Sequence, residues 1–114
     1  MAAPVTFSPR ALEDLMEIGD YIAKDSRANA LRFVSQLREQ CVRIGRAPLG
    51  YPSRADLAPG LRMAPLGNYV VFFRFRFRDG TVRIERVLHS ARDLLAVFHK
   101  DALRATRATK GTPE

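Results

Sequence analysis

The chain has 114 residues, 46% of them hydrophobic and 27% charged, with 19 Lys and Arg against 12 Asp and Glu and a formal net charge of +7. That is enough for one domain with a real core and too little for two, so residues 1–104 read as a single domain followed by a disordered basic tail, 105–114. No run approaches the ~18 apolar residues of a membrane span and no charged-then-apolar leader opens the chain, so no membrane association is expected and a cytoplasmic location is.

The charge is unevenly placed. Residues 1–25 hold five acids and two bases, and the remainder holds seven acids and seventeen bases, so a net of −3 is followed by a net of +10. Such a balance points to an acidic partner, either nucleic acid or an acidic protein segment. The lone Cys41, with only His89 and His99 for company, forms no metal-ligand cluster; at an apolar helical spacing it reads as a small core residue. No metal and no cofactor are expected, because no Gly-rich phosphate loop, no Gly-x-Ser-x-Gly elbow and no zinc spacing is present.

In chain order, Val5-Thr6-Phe7 is a short β-prone run before a helix start. Ser8 suits the N-cap and Pro9 the first turn, where its missing N–H costs nothing. Leu12, Leu15, Met16, Gly19 and Ile22 then recur at helical spacing, with Glu13, Asp14, Glu17 and Asp20 on the wetter side. Asp25-Ser26 breaks the pattern and caps a second helix over residues 27–46, whose apolar stripe is Ala30, Phe33, Val34, Leu37, Cys41 and Ile44. So short a link predicts an antiparallel helical hairpin laid over a sheet. Residues 47–59, with three prolines, form a surface connection anchored by Leu49, Tyr51 and Leu57.

Residues 60–93 read as three strands, the last two joined at Asp79-Gly80, a type I′ hairpin signal. With a two-residue turn, Arg78 opposes Thr81. One face then carries Phe77 with Val82, Phe75 with Ile84, Phe73 with Arg86 and Val71 with Leu88. The other carries Arg76 with Arg83, Arg74 with Glu85, Phe72 with Val87 and Val70 with His89. Arg74 and Glu85 make a cross-strand pair, whereas Arg76 opposite Arg83 is unfavourable unless an acid arrives or both splay into water. Asp93 then caps a last helix carrying Leu94, Leu95, Phe98 and Ala102, a natural cover for Val70, Phe72 and Val87. The expected fold class is therefore α+β, a two-layer β-α-α-β-β-β unit with a terminal helix and a mainly antiparallel sheet.

Two groups of residues could carry function. Arg86, directed at the core, must find a carboxylate, with Asp93 or an acid of the first helix as the candidates; a structural ion pair, Arg86 with Asp93, is the leading reading. His89, near the strand end, could move protons, although such a histidine more often bonds a backbone carbonyl. The second group is the ladder Arg74, Arg76, Arg78 and Arg83 with the tail bases Lys100, Arg104, Arg107 and Lys110. Arg alternating with Phe suggests a nucleic-acid surface. The phenylalanines, however, occupy the buried face of an amphipathic strand and are not free to stack on bases. A solvated charged face, or a dock for an acidic segment, fits better.

Several of these pieces, in this order and spacing, resemble the ParE toxins of the ParE/RelE superfamily of bacterial toxin–antitoxin modules. They are Phe7-Ser8-Pro9 with Ala11, Leu12, Asp14, Leu15 and Ile18; Ala47-Pro48-Leu49-Gly50 followed by Arg54, Asp56, Leu57, Pro59-Gly60-Leu61-Arg62; the strand from Gly67 to Arg74; and Arg86-Val87-Leu88-His89 with Arg92-Asp93. The resemblance implies the β-α-α-β-β-β fold and a toxin held silent by a ParD-like antitoxin in a hetero-oligomer. The free toxin would inhibit DNA gyrase, in the service of plasmid or chromosomal segment maintenance. Arg74, Arg76, Arg83, Arg92, Lys100 and Arg104 are then the candidates for contacting target or antitoxin, and direct nucleic-acid binding is not expected. The antitoxin's dock would be the outer surface of the helical hairpin and the exposed strand edge.

The alternative within the superfamily is the RelE-like class, which cleaves mRNA on the ribosome; Arg62, Arg74, Arg83 and His89 are the residues that could serve it. Tyr69 stands where that class tends to carry a strand arginine, and no Tyr follows Arg92-Asp93, where Phe98-His99-Lys100 stands instead. These departures favour a non-catalytic inhibitor with no catalytic residues. A third class, a non-toxic basic nucleic-acid-binding module, would bind bare duplex or RNA with strong salt dependence.

Overall fold

The computed structural model describes residues 2–110. Strand β1 (Val5–Phe7) runs into helix α1 (Pro9–Asp25), and Ser8 caps it as its residue type predicts, its hydroxyl accepting from the Ala11 N–H at 3.0 Å. Ser26 both ends α1 and caps α2 (Arg27–Arg46), accepting from the Asn29 N–H. Strands β2 (Arg62–Leu66), β3 (Tyr69–Arg76) and β4 (Thr81–His89) follow, and helix α3 (Leu94–Lys110) closes the fold. Residues 105–110 of the expected disordered tail therefore continue α3, and 111–114 lie outside the described residues.

The sheet order is β1-β4-β3-β2, antiparallel except that β1 lies parallel to β4. The α1–α2 hairpin covers one face, where Phe33, Leu37 and Ile44 meet Ala64, Val71, Phe73, Val82, Ile84 and Val87. On the other face Val97 and Phe98 of α3 meet Leu61, Val70, Phe72 and Leu88. Within the connection, Tyr51 and Leu57 pack against the two cores, but Leu49 stays exposed and anchors nothing.

Two departures from the expected packing matter for function. First, α1 is rotated: Ala11 and Asp14 are its buried residues, with Leu15, Ile18 and Ile22 beside them, and Leu12 and Met16 face water at 50% and 70% exposure. A buried carboxylate was invisible to an apolar count.

Second, the β3–β4 register differs by two residues at the turn. Arg76 opposes Thr81, Phe75 opposes Val82, Phe73 opposes Ile84 and Arg74 opposes Arg83, leaving residues 77–80 as a four-residue loop. The type I′ turn fails because it needs positive φ at both central residues, and only Gly80 (φ +70°) has it. The predicted opposition of Arg76 and Arg83 is thus replaced by one of Arg74 and Arg83.

A bulge then follows between Phe72 and Phe73, so that Arg86 opposes Phe72, Val87 opposes Val71, Leu88 opposes Val70 and His89 opposes Tyr69. One extra residue in β4 reverses the faces beyond it. Val87 joins the helical-hairpin core and Leu88 the α3 core, the reverse of the expectation for both. The ring of His89 lies edge-on to Tyr69, whose own ring meets Phe33 of that first core.

Candidate functional site

Strand β1 is three residues long and pairs only with Val82, Arg83 and Ile84. Beyond it the edge of β4 has lost its neighbour, and α1 supplies the missing partners. Ser8 donates its hydroxyl to the Glu85 carbonyl at 2.9 Å, and Asp14 Oδ2 accepts the Val87 N–H at 3.0 Å. The same Asp14 carboxylate receives Arg86 in a two-pronged pair, Nε to Oδ2 at 2.8 Å and Nη2 to Oδ1 at 3.0 Å. Arg86 Nη1 reaches both oxygens of Asp101 on α3, at 3.1 and 2.8 Å. One guanidinium thus ties α1, β4 and α3 together, with the Arg86 and Asp14 side chains each 3% exposed. Burial alone would weaken the Arg86 charge, but its bonds to Asp14 and Asp101 prevail and hold it above its ordinary value.

The expected pair of Arg86 with Asp93 is therefore not formed. An acid of the first helix, the other candidate, takes that place, joined by Asp101. Asp93 instead caps α3, its Oδ1 accepting from the Ala96 N–H. Asp101 was missed because it lies fifteen residues from Arg86, on a helix read only for its apolar side.

Around this knot a groove of about 850 Å³ opens between the start of α1, the β3–β4 face and α3, lined among others by Arg10, Arg74, Arg83, Glu85 and Arg104. A smaller hollow of about 280 Å³ beside it is lined by Arg92, Asp93, Lys100 and Arg104. The predicted contact residues thus fall into two neighbouring sets, Arg74 with Arg83 and Arg92 with Lys100, and Arg104 borders both. Arg76 lines neither. Within the groove, Glu85 holds Arg74 at 2.7 Å and Arg83 at 3.3 Å, so the acid needed to relieve an arginine pair comes from the same strand. Arg74 also donates Nε to the Pro59 carbonyl at 2.9 Å.

The residues suited to proton transfer on RNA are dispersed. Arg62 opposes Phe73 and spends its Nη1 on the Tyr51 carbonyl at 2.8 Å, on the helical-hairpin side of the sheet. Arg74 and Arg83 line the groove on the other side. His89 is exposed six residues along β4 from Arg83, roughly 20 Å at strand rise, and its Nδ1 accepts the Ala91 N–H at 3.0 Å. Cys41 is half-buried among the hairpin's core residues, and burial pushes its thiol above the ordinary value. Among the described residues no group of three His, Cys, Asp or Glu side chains could hold a metal ion, and no helix is long and apolar enough to cross a membrane.

The model of the ParE toxin of the type II toxin–antitoxin system parDE matches residues 5–94, which takes in every strand and both helices of the hairpin. This chain belongs to the ParE toxin family. No curated protein sequence matches it. Among solved structures, the fold is similar to a chromosomal ParDE toxin–antitoxin system from P. aeruginosa, with 22% identity and a TM-score of 0.64 over 77% of this chain and 96% of that one. It is also similar to the RelBE2 toxin–antitoxin complex of Mycobacterium tuberculosis, at 27% identity and a TM-score of 0.58 over 81% and 95% of the two chains. The intact E. coli RelBE complex matches at 19% identity and a TM-score of 0.57, over 80% and 100%. The chain is thus a toxin of a type II toxin–antitoxin module of the ParE/RelE superfamily, built on that superfamily's α+β fold.

Proposed function

We propose that this ParE-family toxin inhibits DNA gyrase by direct, non-catalytic binding and is neutralised by a ParD-like antitoxin in the cytoplasm. The observation that carries this reading is the dispersal of Arg62, Arg74, Arg83 and His89 over two faces and two ends of the sheet. Cleaving RNA at the ribose 2′-OH needs a base within hydrogen-bonding reach of the hydroxyl and cations on the phosphate, both at one point. Here His89 is a strand's length from Arg74 and Arg83, and those are already bonded to Glu85.

Antitoxin capture has its own support on the outside of the helical hairpin. Leu12 and Met16 on α1 and Leu31, Val34 and Val42 on α2 are all exposed. A partly disordered acidic segment that orders on binding requires a large apolar contact to offset its lost freedom, and this face offers one.

The test compares two targets with one preparation. Purified toxin should block gyrase supercoiling in proportion to its occupancy and leave translated mRNA intact. Codon-positioned cleavage in a translating extract, abolished by His89→Ala, would replace this reading with the RelE-like nuclease.

A further inference from the structure

Beyond Arg76 the hairpin leaves the sheet, and Phe77 goes with it. At 75% exposure it is the most exposed large hydrophobic side chain among the described residues. It is not loose. Its ring packs edge-on against Phe75, with centroids 4.9 Å apart and planes at 86°, and Phe75 packs in turn on the core of the helical hairpin. The turn beneath is fixed by the Gly80 N–H donating to the Arg76 carbonyl at 2.8 Å. Asp79 Oδ1 also accepts from the Thr81 N–H and hydroxyl. An aromatic side chain already ordered in water loses little freedom when it docks, which is why such residues anchor interfaces.

The charges beside it select the partner. Arg76 and Arg78 flank Phe77 and are exposed, and neither guanidinium makes a hydrogen bond or ion pair among the described residues, although Arg76 acts through space on the Asp79 carboxylate. Arg74 and Arg83, further down the same hairpin, are occupied by Glu85. A nucleic acid would need a run of free cations along its phosphates, and Glu85 sets a carboxylate into that run. Two exposed guanidinium groups on either side of one phenyl ring suit a protein surface instead, with an apolar pocket at its centre and carboxylates on its rim.

We propose that the tip formed by Arg76, Phe77 and Arg78 is the anchor by which this toxin holds its target. Phe77 seats in an apolar pocket of a folded protein, and Arg76 and Arg78 pair with Asp or Glu side chains around it. The proposal rests on the reading that the target is a protein inhibited by contact, and it uses a surface separate from the outer helical face assigned to the antitoxin.

The experiment uses the full chain, its Phe77→Ser and Phe77→Trp variants, and the double variant Arg76→Glu with Arg78→Glu, all checked for an unchanged melting temperature. Inhibition of purified gyrase and arrest of growth on induced expression are read in parallel. Phe77→Ser and the double variant should weaken gyrase inhibition by at least about ten-fold. Phe77→Trp should retain it, and growth arrest should follow the same order. Gyrase inhibition equal in wild type and Phe77→Ser would overturn the anchor and leave the gyrase reading standing. Wild-type growth arrest without gyrase inhibition, relieved by Phe77→Ser, would keep the anchor and discard gyrase as the protein it grips. Absence of both gyrase inhibition and arrest by wild type, or equal arrest by wild type and Phe77→Ser, would overturn the anchor. So would tight, salt-sensitive binding to bare duplex DNA lost in Phe77→Ser, which would assign the tip to nucleic acid.

Discussion

The arginines at the two ends of one hairpin have opposite fates. At the bulge, Arg86 is buried and bonded on every side by Asp14 and Asp101, whereas at the turn Arg76 and Arg78 stand in water beside an exposed ring. The two lie eight to ten residues apart on the same hairpin. Proximity to α1 and α3 separates them. Where helices close over the sheet, a cation survives only with partners, and where the hairpin outruns its cover, a cation can stay unpaired and be left for another molecule. The knot is structure, and the tip is surface for use.

The largest effect should come from the knot. Arg86→Ala leaves the buried Asp14 carboxylate without its cation and should cost about 3–5 kcal/mol in urea unfolding; a loss below about 1 kcal/mol would mean that the knot does not form. Gly45→Ala tests a different close approach, because an added Cβ would stand 2.8 Å from the Ala3 carbonyl oxygen and 3.4 Å from Val5 Cγ2, where β1 crosses the end of α2. About 1–3 kcal/mol of overpacking is expected there, read as a lowered melting temperature.

Glu85→Ala should do much less, about 0.2–1 kcal/mol, since it only leaves Arg74 opposite Arg83 without their shared acid on a half-exposed face. Added salt should shrink that difference further, and a salt-independent loss would point to packing instead. Smallest of all is the thiol. Burial raises the Cys41 value, so the folded chain keeps its proton longer than the unfolded one, and stability declines slightly as pH rises past the unfolded thiol's range. Alkylation at pH 8 should accordingly be slower in the folded chain than in urea.

The sequence made the helix limits legible because Ser8 and Ser26 are short-range signals that act on their own turns. Pairing across the hairpin was harder. Asp79-Gly80 marks the turn correctly, yet a four-residue loop keeps the same inward faces as a two-residue one, so Phe73, Phe75, Val82 and Ile84 are placed on the right side by the wrong partners. Phe77 alone pays for the difference, passing from the sheet into water. The bulge opposite Phe72 carries no glycine and leaves no trace in composition, so the side on which Arg86, Val87, Leu88 and His89 fall could not be read. Asp14 was counted as a wet residue for the same reason. What buries it is an arginine 72 residues away.

The parallel seam between β1 and β4 sets the order in which the molecule can be assembled. Val5 pairs with Val82, so β1 waits for a strand synthesised 77 residues later. At about 5–20 residues per second this is a delay of roughly 4–15 s during which the helical hairpin has no complete sheet to rest on. A nascent toxin cut short before β4 could close neither the seam nor the Arg86 knot. The sheet is therefore complete only once β4 has been made.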